Sequence, residues 1–157
     1  MAVKSKSKAK IVDKDMGWKA FAASIQKAAK KPQRIDVGIF VKEVAVYALA
    51  NEFGTSKIPS RPWFRNTIDA NRAKYVKMMR AAGLRVGKNL SPADALIPVA
   101  NEMRNDLIKA IQGWKAPPNA PRTVAKKGFN APLVMTGQMQ RVLTWLINGG
   151  MGGGKKI

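Results

Sequence analysis

The side chains that most often carry catalysis are absent from this sequence or too scattered to act together. Among the 157 residues there is no Cys and no His, which removes the commonest metal ligands and the commonest general base. Ser and Thr hydroxyls therefore have no His to activate them. The 9 carboxylates show no pairing of the kind that an acid/base or two-metal site needs. We therefore predict that the protein is not an enzyme and uses no metal and no cofactor.

A glycine-rich segment over residues 149–156 superficially matches a phosphate-binding loop. That motif needs Ser or Thr directly after its Lys, and then a helix whose amino terminus faces the phosphate. Lys156 stands where the hydroxyl residue is required. We therefore expect no nucleotide site there, and we predict a flexible Gly/Lys tail over residues 149–157.

The net charge of +20, from 29 Lys and Arg against 9 Asp and Glu, indicates a polyanionic partner or environment. Nucleic acid and acidic protein surfaces in an assembly are the two candidates; otherwise the Lys-rich faces only keep the protein soluble. The sequence has neither zinc-finger ligands nor an aromatic RNA-binding strand. Nucleic-acid binding would therefore go through phosphates, and it would be sensitive to salt and blind to sequence.

Residues 47–64 contain the most distinctive local pattern, a rigid corner between two predicted helices. Gly54 is expected to end the first helix in a left-handed conformation, and Pro62 suits the first turn of the second. Glu52 and Arg61 lie on either side of the loop, and we expect a structural ion pair between them rather than a catalytic acid. The residues assigned to the corner are Phe53, Gly54, Pro59, Arg61, Pro62, Trp63 and Phe64.

Hydrophobic periodicity predicts an α+β fold in which a small antiparallel or mixed sheet packs against several helices. Residues 34–41 alternate as a strand, and the predicted helices cover residues 16–31, 44–53, 62–82 and 92–112. Asp15 and Ser91 are the expected caps of the first and fourth helices, and Pro98 should kink the fourth. Residues 136–147 fit both helix and strand; we favour a helical turn and then a strand over residues 141–148.

Two of the predicted helices have a clear apolar face. In the helix over residues 44–53, that face is formed by Val46, Leu49, Ala50 and Phe53. In the helix over residues 62–82, basic side chains surround the apolar stripe and could follow a phosphate backbone, and Gly83 is expected to end the helix.

The chain is predicted to hold one domain over residues 15–148, preceded by a disordered basic Lys/Ser arm over residues 1–14. Inside the domain, residues 114–134 are rich in Pro and have no periodicity. A loop of this length usually serves interaction. We expect contacts with other subunits or partners from Lys4, Lys6, Lys8, Lys10, Trp114, Pro117, Pro118, Asn119, Pro121 and Arg122.

Four motifs occur in an order that resembles the tail-component, or virion-morphogenesis, family of tailed bacteriophages. They are Ile-Asp-Val-Gly-Ile-Phe at 35–40, Ala-Leu-Ala-Asn-Glu-Phe-Gly at 48–54, Ile-Pro-Ser-Arg-Pro-Trp-Phe at 58–64, and a Pro-rich run at 117–123 that precedes Lys-Gly at 127–128, Pro-Leu at 132–133 and Thr-Gly-Gln-Met at 136–139. The resemblance covers residues 34–147. Members of that family often have His at the position of Asn51 and Asp at the position of Met135. These two differences would matter for a catalytic site but little for a packing corner.

The resemblance implies a structural virion protein. It would be one subunit of a six- or twelve-fold homo-oligomeric ring in the neck or collar, acting as head–tail connector or tail-completion protein. Its partners would be other copies, neighbouring neck, portal-adaptor and tail proteins, and the genomic DNA that passes through. It would assemble in the host cytoplasm without contacting a membrane, since the sequence has neither a signal peptide nor a spanning apolar run.

Two further interpretations stay open. Charge alone would suit a nonspecific nucleic-acid-binding or packaging protein, whose affinity for DNA falls steeply as salt rises. A capsid-decorating or scaffolding factor is the third.

Overall fold

The computed structural model describes residues 16–30, 33–88, 90–148 and 150–152. The predicted α+β class is confirmed, with helices packed around a small antiparallel sheet. In chain order the elements are α1 (Trp18–Lys30), β1 (Ile35–Ile39), α2 (Lys42–Phe53), α3 (Trp63–Ala70), α4 (Arg72–Gly87), α5 (Pro92–Gly113), α6 (Pro121–Lys127), α7 (Gln138–Val142), β2 (Leu143–Ile147) and β3 (Gly150–Gly152).

Several predictions concern residues outside the described ranges. The basic arm over residues 1–14 is among them, as are the expected cap Asp15 and residues 149 and 153–157 of the predicted tail. The arm's four candidate contact residues are Lys4, Lys6, Lys8 and Lys10.

β2 forms the middle of the sheet, antiparallel to β1 on one side and to β3 on the other. Ile39 pairs with Leu143, and Ile35 pairs with Ile147. The favoured interpretation of residues 136–147 is confirmed, because α7 leads directly into β2. The prediction of a flexible tail is wrong for residues 150–152, which form β3. The edge of β2 that does not face β1 offers backbone donors and acceptors, and even glycines can pair with them.

α5 is the central helix and contacts α3, α4, β1 and β2. Its second half, through Leu107 and Ile111, enters the main core, and Val99 enters a second cluster against α4. The buried residues of the main core are Val44, Ala48, Trp63, Leu107, Ile111, Leu133, Met139, Val142 and Leu143. The predicted N-cap is confirmed, since the Ser91 side chain accepts a hydrogen bond from the backbone N of Asp94 at 3.3 Å. The remaining elements are therefore positioned around one capped, buried helix.

The segment predicted as one helix over residues 62–82 forms two helices, α3 and α4. Asn71 separates them at φ −100° and ψ 6°, and its side-chain Nδ2 donates to the carbonyl of Thr67 at 2.9 Å. Such a local side-chain bond competes with helix continuation. Gly83 does not end α4 as predicted, because Ala82 and Val86 are both buried and hold the next turn against α5.

α2 packs inward through a face other than its predicted apolar one. Its buried residues are Val44, Ala48 and Glu52. The predicted face contains Val46, Leu49 and Phe53, and all three are exposed in the structure. Both faces carry apolar side chains, so the periodicity alone did not determine which one meets the core.

Residues 114–134, predicted as one long loop, contain the short helix α6. The helix has Pro121 at its first position and ends at Gly128, whose φ of 78° is left-handed. The backbone N of Gly128 donates to the carbonyl of Val124 at 2.8 Å. Seven residues are too few for a helical period to be visible in the sequence, which is why this helix was missed.

Candidate interaction site

The predicted corner is a rigid turn between α2 and α3. Gly54 ends α2 at φ 79°, and a Cβ at this position would lie 2.9 Å from the backbone N of Ser60. Both the positive φ and the close approach require glycine. The loop is closed by a backbone hydrogen bond of 2.8 Å from Thr55 N to the carbonyl of Ile58. The helices are thus held at a fixed angle.

Glu52 caps α3 from the last turn of α2. Its carboxylate accepts hydrogen bonds from the backbone N of Phe64 at 2.9 Å and of Arg65 at 3.2 Å. Pro62 precedes α3 and offers no side-chain cap, so the buried carboxylate satisfies the free N–H groups and the positive end of the helix dipole. The expected Glu52–Arg61 ion pair is wrong: Arg65 Nε is the partner, at 2.9 Å.

Arg61 links the corner to the Pro-rich segment. Its Nε donates to the carbonyl of Pro117 and its Nη2 to that of Pro118, both at 2.9 Å. Nη1 donates to Oδ1 of Asn51, also at 2.9 Å. Only 5% of the Arg61 surface is exposed, and this burial lowers the pKa of its guanidinium. Two segments that were predicted separately therefore form one unit.

The other predicted corner residues divide between core and surface. Trp63 is buried in the main core, and the half-buried Phe64 packs edge-to-face against it with ring centroids 5.6 Å apart. Pro62 is half-buried and Pro59 exposed. Phe53 is exposed and lies beneath the guanidinium of Arg65, 5.0 Å from the ring centroid.

The predicted contact residues of the Pro-rich segment are only partly available for partners. Trp114 packs against the main core, and its indole N–H is buried without an acceptor in the described part of the chain. Pro117 and Asn119 are half-buried, because Arg61 holds this stretch down. The exposed members are Pro118, Pro121 and Arg122.

A groove of about 510 Å³ lies between α2, the corner, α6 and the segment that leads to α7. The exposed Met135 and the half-buried Ile58 contribute apolar surface to it, and the buried Leu133 and Met139 lie beneath. The cationic side chains that line it are Lys57, Arg61 and Lys127, and its lining contains no carboxylate. Sequence reasoning did not assign Lys57 or Lys127 to a site, since only the fold brings α6 beside the corner.

Lys127 is held in place at the end of α6. Its Nζ donates to the carbonyl of Ala131 at 2.8 Å and lies 4.9 Å from the ring centroid of Phe129. Burial and, after it, the neighbouring charge of Arg61 lower the pKa of Lys127. The groove therefore has a concentrated positive field beside apolar surface.

A second polar cluster joins α4 to α5 and does not line the groove. Asp106 accepts hydrogen bonds from Tyr75 Oη at 2.8 Å and from Lys74 Nζ, which also binds Glu102 at 3.1 Å. Burial, assisted by Asp106, raises the pKa of Tyr75. Burial lowers the pKa of Lys74, but bonds to both carboxylates outweigh it and the net shift is upward. This cluster is a structural connection between two helices.

Comparisons of the chain with protein-family models, curated proteins and solved structures found no match. The resemblance in motif order therefore stays a prediction. Within the described ranges, no group of three or more acidic residues is placed to hold a metal ion. In that same part of the chain, no helix combines the length and the hydropathy that crossing a membrane requires.

Proposed function

We propose that this protein is a structural subunit of a tailed-bacteriophage virion, and that copies of it form a ring in the neck or collar, where the head joins the tail. The observation that carries the proposal is the α2 outer face, defined as Val46, Leu49 and Phe53. These side chains are 59%, 55% and 62% exposed. An apolar helix face on the surface is typical of a protein–protein interface.

The helix that carries the α2 outer face is held in place by contacts on its opposite side. On the opposite side of the helix, Val44 and Ala48 enter the main core, and Glu52 binds the start of α3. A helix anchored in this way loses little conformational entropy when its free face is buried by a partner. Rigid presentation supports an assembly role.

Charge distribution supports a second copy as the occupant of this face. Copies that each carry +20 repel one another, so they can approach closely only where cations are few. Residues 44–51 contain no charged side chain, and the cation that lies over the face, Arg65 above Phe53, is paired with Glu52. Ring closure needs a heterologous contact, in which the α2 outer face meets a different surface of the next copy.

The resemblance in motif order supplies the proposed location and the six- or twelve-fold symmetry. The corner supports the same role, because its residues fix the angle between helices and form no catalytic arrangement. Other neck, portal-adaptor and tail proteins would then adjoin the ring, with DNA passing through it.

The decisive experiment is to measure the mass of the full chain by light scattering and to count symmetry in electron-microscopy class averages, both without DNA. We expect a closed ring, and we expect Leu49→Glu to dissociate it. Leu84→Glu is the matched control, since Leu84 is a similarly exposed leucine on a different helix, α4. A monomeric wild-type protein, or rings that tolerate Leu49→Glu, would contradict the proposal.

The alternative is a nonspecific nucleic-acid-binding or packaging protein, and one surface favours it. α4 has several exposed cations: Arg72, Lys77, Arg80 and Arg85. For this function we would expect a monomer whose affinity for DNA falls steeply with the logarithm of salt concentration.

A further inference from the structure

We infer that the groove between the corner and α6 binds an acidic, partly apolar peptide segment of a different protein, whose carboxylates pair with Lys57, Arg61 and Lys127. This inference does not depend on ring formation. It names a second surface, separate from the α2 outer face, and a partner of different chemistry.

The charge of Arg61 is uncompensated within the described part of the chain. The side chain is almost fully buried, yet its partners are an amide oxygen and two backbone carbonyls, all neutral. No carboxylate lies within ion-pair distance of it in the described part of the chain. A buried cation without a counter-ion is costly. A ligand carboxylate would supply the missing charge, and both Nη atoms retain an N–H to donate.

The groove combines its cations with apolar surface and an unused hydrogen-bond donor. The exposed Met135 and the half-buried Ile58 line it beside the cationic side chains. Asn119 also lines it, and the buried Nδ2 of Asn119 has no acceptor among the described residues. A ligand that fits has apolar side chains next to acidic ones, which is the chemistry of an acidic amphipathic peptide.

A nucleic acid fits this groove less well. Sequence-blind binding to phosphates uses exposed cations, such as those on α4. Arg61 is recessed and held by three hydrogen bonds, and the surface beside it is apolar. Single-stranded nucleic acid would also need aromatic stacking surfaces. Tyr47 is the one aromatic residue of the lining.

A second copy of this chain also fits less well. Two copies repel through their net charge, and four acids of the described part already pair with cations of their own chain. Those acids are Asp36, Glu52, Glu102 and Asp106. Charge complementarity therefore points to an acidic protein.

The test uses fluorescence anisotropy of the full chain with two labelled synthetic peptides, one alternating Leu with Glu and the other alternating Leu with Gln. The acidic peptide should bind and the amide peptide should not. Lys57→Gln and Lys127→Gln should each weaken binding about fivefold. Thr136→Glu, which places a carboxylate in the lining, should also weaken it. Lys77→Gln on α4 removes the same charge elsewhere and should leave the affinity unchanged.

Arg61 is not varied in this test because its bonds to Pro117 and Pro118 hold the fold, and thermal unfolding of each groove variant verifies that the domain is intact. Equal binding of the two peptides, or an equal effect of Lys77→Gln, would overturn the inference. A single-stranded oligonucleotide that loses affinity through the same groove variants would assign the groove to nucleic acid instead. Tighter binding of a peptide copied from residues 9–16 would assign it to this chain's own arm.

Discussion

The guanidinium Nε of Arg61 donates a hydrogen bond of 2.9 Å to the carbonyl oxygen of Pro117, across 56 residues of sequence. The neighbouring Nη2 donates to Pro118 in the same way. The corner and the Pro-rich segment are thereby one structural unit, and the groove lies where they meet. Its shape therefore depends on this contact.

Arg61→Ala should lower the free energy of unfolding by about 2–4 kcal/mol, because the Pro117 and Pro118 carbonyls and the Asn51 side chain lose their donor. Urea unfolding followed by circular dichroism measures this loss. Arg122→Ala, at an exposed position on α6, is the control and should change stability by less than about 0.5 kcal/mol. Equal effects of the two substitutions would show that the Arg61 contacts contribute nothing to stability.

Gly54→Ala should destabilise the protein by about 1–3 kcal/mol, because alanine is strained at φ 79° and its Cβ would meet the Ser60 backbone. Gly83→Ala is the matched control within the helical part of the chain. Beyond its own helical turn, no atom of the described residues lies within 4 Å of its added Cβ, so that substitution should stabilise α4 by about 0.5–1 kcal/mol. Chemical denaturation of both variants checks the opposite signs. A Gly54→Ala protein as stable as the wild type would contradict the geometry of the corner.

Stability should decline at high pH because of Tyr75, whose pKa is raised by burial and by Asp106. A group with a raised folded-state pKa contributes stability that is fully present below its unfolded value, about 10 for Tyr, and is lost as the pH rises through the folded value. Lys74, whose pKa is also raised, acts in the same direction.

The measurement is the urea midpoint at about pH 9 and about pH 11, on either side of the unfolded tyrosine pKa. Tyr75→Phe should lose stability less steeply between these pH values than the wild type. Tyr47→Phe, which replaces an exposed tyrosine, is the control and should keep the wild-type slope. A Tyr75→Phe slope identical to that of the wild type would exclude this contribution.

Deletion of residues 1–14 should weaken assembly without unfolding the domain. The arm carries Lys4, Lys6, Lys8 and Lys10, and the core is built from residues further along the chain. Light scattering at physiological salt measures assembly, and the thermal unfolding midpoint checks the fold. Normal assembly of the shortened chain would show that the arm makes no contact that assembly needs.

Much of the local structure could be predicted from short stretches of sequence. Ser91 caps α5 through a bond to a residue three positions away. Gly54 ends α2 at a positive φ as expected, but its ψ of 170° is extended and not that of the predicted left-handed cap. The passage from α7 to β2 was also expected. Capping bonds and backbone preferences act within a few residues, so they can be predicted from a short stretch of sequence.

The site itself was decided by tertiary structure. Glu52 binds Arg65 rather than Arg61, and α2 buries Val44 while leaving Leu49 exposed. Each of these outcomes depends on which elements pack together, because α2 has two apolar faces and Glu52 has two cations within reach along the chain. Sequence alone determined the charge, the α+β class and the corner. Packing decided which partner each charged side chain has, because those partners are distant in sequence and only folding brings them together.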